Sequence, residues 1–136
     1  MGTIVDMSKK ILIVEDDKLL AEVYASALKQ EGFNTTTVHD YNSAMNNFRP
    51  SNYSLVVLDI MLKGKNGFEL LRDLRRTPGG YKLPIIIITG MDTQDLNMDR
   101  ELMVSLNIIG IHTKSQFSIA EFGKIISAYL DRHERK

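Results

Sequence analysis

Glu15, Asp16, Asp59, Thr89 and Lys114 each close a short, mostly apolar run: Ile11–Val14, Leu55–Leu58, Ile85–Ile88 and Ile108–Thr113. Polar groups at the C-terminal mouths of buried strands sit where open α/β sheets present ligands and reacting groups. Three carboxylates gathered in one pocket repel each other, by roughly 4 kcal/mol per pair at about 4 Å and an effective dielectric near 20. A divalent cation that neutralises them gives such crowding a purpose. An all-oxygen, incomplete donor set that leaves room for water and phosphate oxygens suits Mg²⁺. A carboxylate is also a covalent nucleophile in aspartyl-phosphate chemistry. An ammonium and a hydroxyl nearby would hold the oxygens of the transferred group. Phosphoryl transfer to Asp59 is the chemistry this set suggests.

Taken singly, each residue also has an ordinary structural reading. Glu15-Asp16-Asp17 suits a helix N-terminus, where the helix dipole favours negative charge. Asp59 and Thr89-Gly90 suit turns, and Lys114 suits a solvated surface. Their arrival at one edge of one sheet sets the group apart. His39, His112 and His133 show no metal-ligand spacing and are expected to be solvated or structural. The Arg72/Arg75/Arg76 cluster is expected on the wet face of its helix.

The elements that must position the set follow from the apolar pattern. A chain of 136 residues makes one domain of ordinary size. Apolar residues at 43% and charged residues at 25% describe a globular protein. Lys+Arg 17 balances Asp+Glu 17, so no overall field favours nucleic acid or anionic lipid, and neither is expected as a direct partner. There is no cysteine, hence no disulfide or thiolate metal site. Apolar runs of about four or five residues are far short of a membrane span, and the N-terminus shows no signal-peptide pattern. A cytoplasmic protein is the expectation.

Strand Ile11–Val14 leads through the acidic triplet into a helix over Lys18–Gly32, with Leu20, Val23, Tyr24, Ala27 and Leu28 on one stripe. A more polar strand, Phe33–His39, precedes a short helix over Ser43–Phe48 that Pro50 stops. After the central strand, helix Gly67–Arg76 turns Phe68, Leu71 and Leu74 inward and breaks at Pro78-Gly79-Gly80. Strand Ile85–Ile88, a weaker helix over Asp95–Leu106, strand Ile108–Thr113 and helix Ile119–Arg132 complete the alternation. Residues 1–8 read as an N-terminal extension, 9–131 as the domain and 132–136 as a tail. Five β–α units with doubly apolar strands predict an α/β fold: a five-stranded parallel sheet with helices on both faces and the flavodoxin-like order 2-1-3-4-5. That order makes the first and third strands neighbours and brings Glu15, Asp16 and Asp59 together.

With these motifs in place, the chain resembles the CheY-like receiver domain of two-component response regulators. The resemblance spans about residues 9–131. It rests on Ile11–Asp17, Leu58-Asp59-Ile60-Met61-Leu62 with Asn66-Gly67, Ile88-Thr89-Gly90, and Thr113-Lys114, all in family order. It implies Asp59 as phosphoacceptor, Asp16 as a direct Mg²⁺ ligand, Glu15 as a ligand acting largely through water, and the backbone carbonyl of Met61 as a further ligand. Thr89 would bind the phosphoryl group and Lys114 would pair with one of its oxygens. The implied partners are a sensor histidine kinase or phosphotransfer protein and a downstream protein docking on the face of the fourth helix, fifth strand and fifth helix. The implied protein is a switch domain, with at most self-phosphorylation and self-dephosphorylation activity, and not an enzyme. The chain ends just after its fifth helix, so the target is expected to act in trans unless the chain is a piece of a longer regulator.

Several positions depart from the family pattern. Ser115 stands where Pro usually follows the lysine through a cis bond. A cis bond before a non-proline costs about 2.5–4 kcal/mol, so a rebuilt loop is expected in preference to a strained peptide. Ile111 stands where an aromatic residue usually follows the threonine's movement. That leaves the backbone near Thr89-Gly90 or His112 to carry a signal, or no signal at all. Lys63 replaces a common Pro, and Asn66 the usual Asp. Met61 and Met91 lie two residues beyond Asp59 and Thr89, where bulky apolar groups would shield an acylphosphate and slow its hydrolysis. Ile111 and Ser115 also leave open a phosphorylation-independent protein-interaction module.

Overall fold

The computed structural model describes residues 9–62, 65–90 and 100–134 of the chain. Strands β1 (Lys10–Val14), β2 (Asn34–Val38), β3 (Leu55–Leu58), β4 (Ile85–Thr89) and β5 (Ile108–Thr113) form one parallel sheet in the order β2-β1-β3-β4-β5. Helices α1 (Lys18–Gln30), α2 (Tyr41–Asn47), α3 (Gly67–Arg76), α4 (Arg100–Ser105) and α5 (Ile119–Glu134) connect and follow them. The three inner strands are buried on both faces, which is why they read as unbroken apolar runs. The outer strand β2 alternates less strictly and is half exposed.

Successive residues divide between two cores. Leu12, Val14, Val56, Leu58, Ile85 and Ile87 pack with Ala44 of α2, Phe48 just after it, and Leu70, Leu71 and Leu74 of α3. Ile11, Ile13, Leu55, Val57, Ile86 and Ile88 pack with Tyr24, Leu28, Phe122, Ile126 and Leu130 from α1 and α5. In β5 a register shift opposite Ile85 and Ile86 leaves Ile109 without a partner residue in β4. Beyond it, Ile111 packs on the α2/α3 side, while His112 meets Tyr129 of α5.

Local chemistry sets the ends. Asp17 caps α1 by accepting from the Leu20 N–H at 3.1 Å, and Asp40 caps α2 by accepting from the Ser43 N–H at 2.7 Å. α1 stops two residues before Gly32, which turns the chain at φ +94°. α2 begins at Tyr41, earlier than expected, because Asp40 supplies the cap. α5 runs past Arg132 to Glu134. The expected helix over Asp95–Leu106 is seen as Arg100–Ser105; residues 95–99 lie outside the described residues.

The Lys114–Ser115 peptide is trans, so the strained cis peptide weighed at Ser115 is not adopted. Lys114–Gln116 forms a single 3₁₀ turn, with Gln116 Oε1 accepting from the Thr113 N–H at 2.9 Å. The described residues contain no cis peptide bond. Arg75 corrects the expectation of a wet face. Its guanidinium donates to the carbonyls of Leu106 (2.6 Å), Gly80 (2.5 Å), Leu83 (2.5 Å) and Asn107 (3.0 Å). It ties the end of α3 to the lead-in of β4 and to the chain just after α4. Burial pulls its pKa down to about 10.

Candidate functional site

The C-terminal ends of β1, β3 and β5 bring the acidic and basic groups together. Glu15 leaves β1 still gripped by the end of β2: its N–H donates to Val38 O at 3.1 Å, and its carbonyl lies 3.0 Å from His39 Nδ1. Its carboxylate turns inward, with Oε2 accepting from the Asp17 N–H at 3.2 Å. Asp59 leaves β3 with its N–H on Val14 O at 3.0 Å. Its Oδ1 accepts from the Met61 N–H at 2.9 Å, and its Oδ2 lies 2.9 Å from Lys114 Nζ. The same ammonium is 2.6 Å from Glu15 Oε1, so Lys114 bridges two buried carboxylates.

The loop after Asp59 is fixed by its own hairpin. Met61–Leu62 pairs antiparallel with Lys65–Asn66, and the Gly67 N–H returns to Ile60 O at 2.9 Å. A Cβ at Gly67 would lie 2.3 Å from Ile60 O, so only glycine allows this closure. The closure holds the Met61 backbone against Asp59 and leaves the Met61 side chain 51% exposed.

One carboxylate oxygen each from Glu15, Asp16 and Asp59 lies within 4.8 Å of the others. Thr89 ends β4, is fully buried, and pairs in register with Thr113, the residue before Lys114. Every site residue expected from the sequence is thus placed at this one edge of the sheet. Met91 lies outside the described residues.

The charges do not balance, and the titration of Glu15 reflects it. Burial raises its pKa to about 7, with the Asp59 charge adding to the rise and Lys114 and the Asp17 N–H opposing it. Burial alone would depress the Lys114 ammonium, but Glu15 and Asp59 more than offset this and hold it above its usual range. Glu15 Oε1 is buried with the lysine as an ion-pair partner but without a well-aligned hydrogen bond among the described residues. Hard oxygen donors, an excess of negative charge and a buried oxygen short of a donor all fit a small divalent cation.

A family model, the response regulator receiver domain, matches residues 11–120. The chain belongs to this receiver family. Among solved structures, the non-phosphorylated HemR receiver domain of Leptospira biflexa aligns at a TM-score of 0.75 and 28% identity, over 90% of this chain and 94% of that one. The BeF3-activated N-terminal receiver domain of Klebsiella pneumoniae RstA aligns at 0.71 and 27%, over 90% and 98%. A CheY-like receiver domain protein of Methanospirillum hungatei, at 0.74 and 22% over 93% and 97%, shares the fold. The protein is therefore a two-component receiver domain, a signalling switch domain and not an enzyme of the ordinary kind, and it carries an acidic group able to hold a metal.

Two residues next to the receiver's site have contacts with it that the sequence did not indicate. His39, just beyond β2, braces the Glu15 backbone. Tyr24, buried in α1, has its pKa pushed up to about 12 by burial, and its hydroxyl feels Lys114, Glu15 and Asp59. Tyr24 carried only the signal of an apolar stripe, and His39 that of a strand end.

Proposed function

We propose that this receiver accepts a phosphoryl group on Asp59 from a histidine of a sensor kinase or phosphotransfer protein, and that the acylphosphate changes its binding of a downstream protein. What carries the reading is the Lys114 ammonium set between Glu15 and Asp59, with Asp16 in the same cluster. An Asp59 oxygen attacks phosphorus, the P–N bond to the donor imidazole breaks, and the imidazole leaves with its electron pair. Lys114 is 2.9 Å from Asp59, close enough to follow the incoming oxygens once it releases Glu15. The Met61 N–H keeps the Asp59 carboxylate oriented, and Thr89 supplies a hydroxyl at the neighbouring strand end. Glu15, Asp16, Asp59 and the Met61 backbone carbonyl would hold Mg²⁺, which when bound neutralises charge building on the phosphoryl oxygens. Water attack on the acylphosphate resets the switch.

The downstream target is assigned to the face of α4, β5 and α5, and no direct contact with nucleic acid or membrane is invoked. A cytoplasmic setting goes with this reading. Among the described residues no helix is long and apolar enough to cross a membrane.

The test is incubation with acetyl phosphate and Mg²⁺ followed by intact-mass measurement. One phosphoryl group should be gained, and none by Asp59→Asn or in the presence of a chelator. Ile111 and Ser115 favour a second reading, a protein-interaction module that works without phosphorylation. An unchanged mass together with unchanged spectra on adding beryllofluoride and Mg²⁺ would leave only that one.

A further inference from the structure

Lys114 is attached to α5 through aromatic side chains on both sides of it in the chain. Two residues before it, His112 Nε2 lies 2.8 Å from the Tyr129 hydroxyl, and the two rings meet edge to face at 5.6 Å. Three residues after it, past the 3₁₀ turn, Phe117 stacks on Phe122 at 5.8 Å and meets His112 edge-on at 6.0 Å. Phe122 in turn packs against Tyr24 of α1 at 4.4 Å. Tyr129 reaches His112 because β5 carries Gly110 beneath it: a Cβ there would lie 2.5 Å from the Tyr129 hydroxyl. The Arg132 guanidinium lies over the Tyr129 ring, 4.9 Å from its centre. Ile111, by contrast, points to the opposite core and offers no polar contact for a moving group.

We propose that His112 and Tyr129 are positioning residues that couple the place of Lys114 to α5, so that the loaded state of this receiver is read out on the α5 side of the sheet. This rests on the phosphoacceptor reading of Asp59. In the described state Lys114 is shared between Glu15 and Asp59. A phosphoryl group on Asp59, with a cation taking up Glu15, removes one of its anchors and moves the other outward. The Lys114–Gln116 turn is held by its own cap, so the displacement is passed on to its flanks. Those flanks are His112 and Phe117, whose partners Tyr129 and Phe122 lie two turns apart on α5.

The test is nuclear magnetic resonance of the full chain, labelled on backbone amides and histidine rings, with beryllofluoride and Mg²⁺ added. Loading should shift the amides next to Asp59 and Lys114, the His112 ring, and the α5 amides from Phe122 to Tyr129. In Tyr129→Phe the shifts near Asp59 should persist, while those of the His112 ring and of α5 around position 129 should fall by at least half. Gly110→Ala, which pushes the hydroxyl away from the strand, should act in the same direction. Shifts confined to Asp59 and Lys114 in the unmodified chain, or α5 shifts of full size in both variants, would overturn the coupling alone. Absence of any shift at Asp59 would overturn the phosphoacceptor reading and the coupling with it.

Discussion

Two half-buried cations hold the two ends of this domain, and their surroundings differ in kind. Arg75, towards the N-terminal ends of the strands, is met by four backbone carbonyls. Lys114, at the C-terminal ends, is met by two carboxylates with a third close by. Neutral dipoles satisfy a charge without adding one of their own, so the Arg75 cluster is complete as it stands. The Lys114 cluster sets three carboxylates around one ammonium, an acidic group that could hold a metal ion. One end of the sheet is locked and the other is set to change.

The largest effect should come from breaking the lock. Arg75→Ala leaves four carbonyls without their donor and frees the segment after α4. We expect a loss of about 3 kcal/mol, a fall in melting temperature of roughly 10 °C for a domain of this size. The loss should be the same with and without Mg²⁺. Recovery on adding Mg²⁺ would mean that the two ends are not independent.

Lys114→Met should behave in the opposite way. Without metal it leaves Glu15 and Asp59 facing each other with no cation, at a cost of about 2 kcal/mol. Saturating Mg²⁺ should restore most of that, since a divalent ion replaces the lost charge. Asp59→Asn should sharpen the contrast by raising the melting temperature of metal-free protein, by about 1 kcal/mol of stability or roughly 3–5 °C. Much of that gain should vanish with Mg²⁺. Thermal melts of the three variants, with chelator and with metal, separate a charge defect from a packing defect.

A smaller effect is expected from pH. The Glu15 pKa is raised from 4.5 to about 7 in the folded protein. Its protonated form is thus favoured by folding, and the stability this confers is complete below about pH 4.5 and lost as pH rises through about 7. Denaturant titrations of metal-free protein should show stability declining across that window. Mg²⁺ should flatten it. A metal-free protein whose stability rises through the same window would mean that Glu15 is ionised and well satisfied, contrary to the charge excess described above.

The difference between the two ends also explains what the sequence could disclose. The acidic edge was legible because strand, carboxylate and loop follow one another within single short segments, as in Leu55–Gly67. The strand order followed from the same alternation. Arg75 was hidden because its partners are backbone carbonyls scattered over residues 80–107, and carbonyls leave no trace in residue type. His39 and Tyr129 were hidden for a related reason: each reaches a group from another element, and its own neighbours in the chain say nothing about that contact. The turn at Ser115 was foreseeable as a departure because proline fixes a backbone angle that serine does not. The capping that shapes it depends on Gln116, whose role shows only once Thr113 is placed.

The smallest expected effect bears on how open the changeable end is. The Met61 backbone N–H orients Asp59, while its side chain stands 51% exposed, two residues beyond Asp59. Met61→Ala keeps the backbone contact and removes only the apolar side chain. Loss of the phosphoryl group by hydrolysis should then become severalfold faster, with Mg²⁺ affinity unchanged, because water gains access without any change in the ligands. In the unmodified chain the phosphorylated form should outlast seconds. An equal lifetime in Met61→Ala would show that the side chain leaves the acylphosphate uncovered. A slower reset would then have to come from the residues that grip Asp59 and Lys114, which would make the changeable end more rigid than its charge excess suggests.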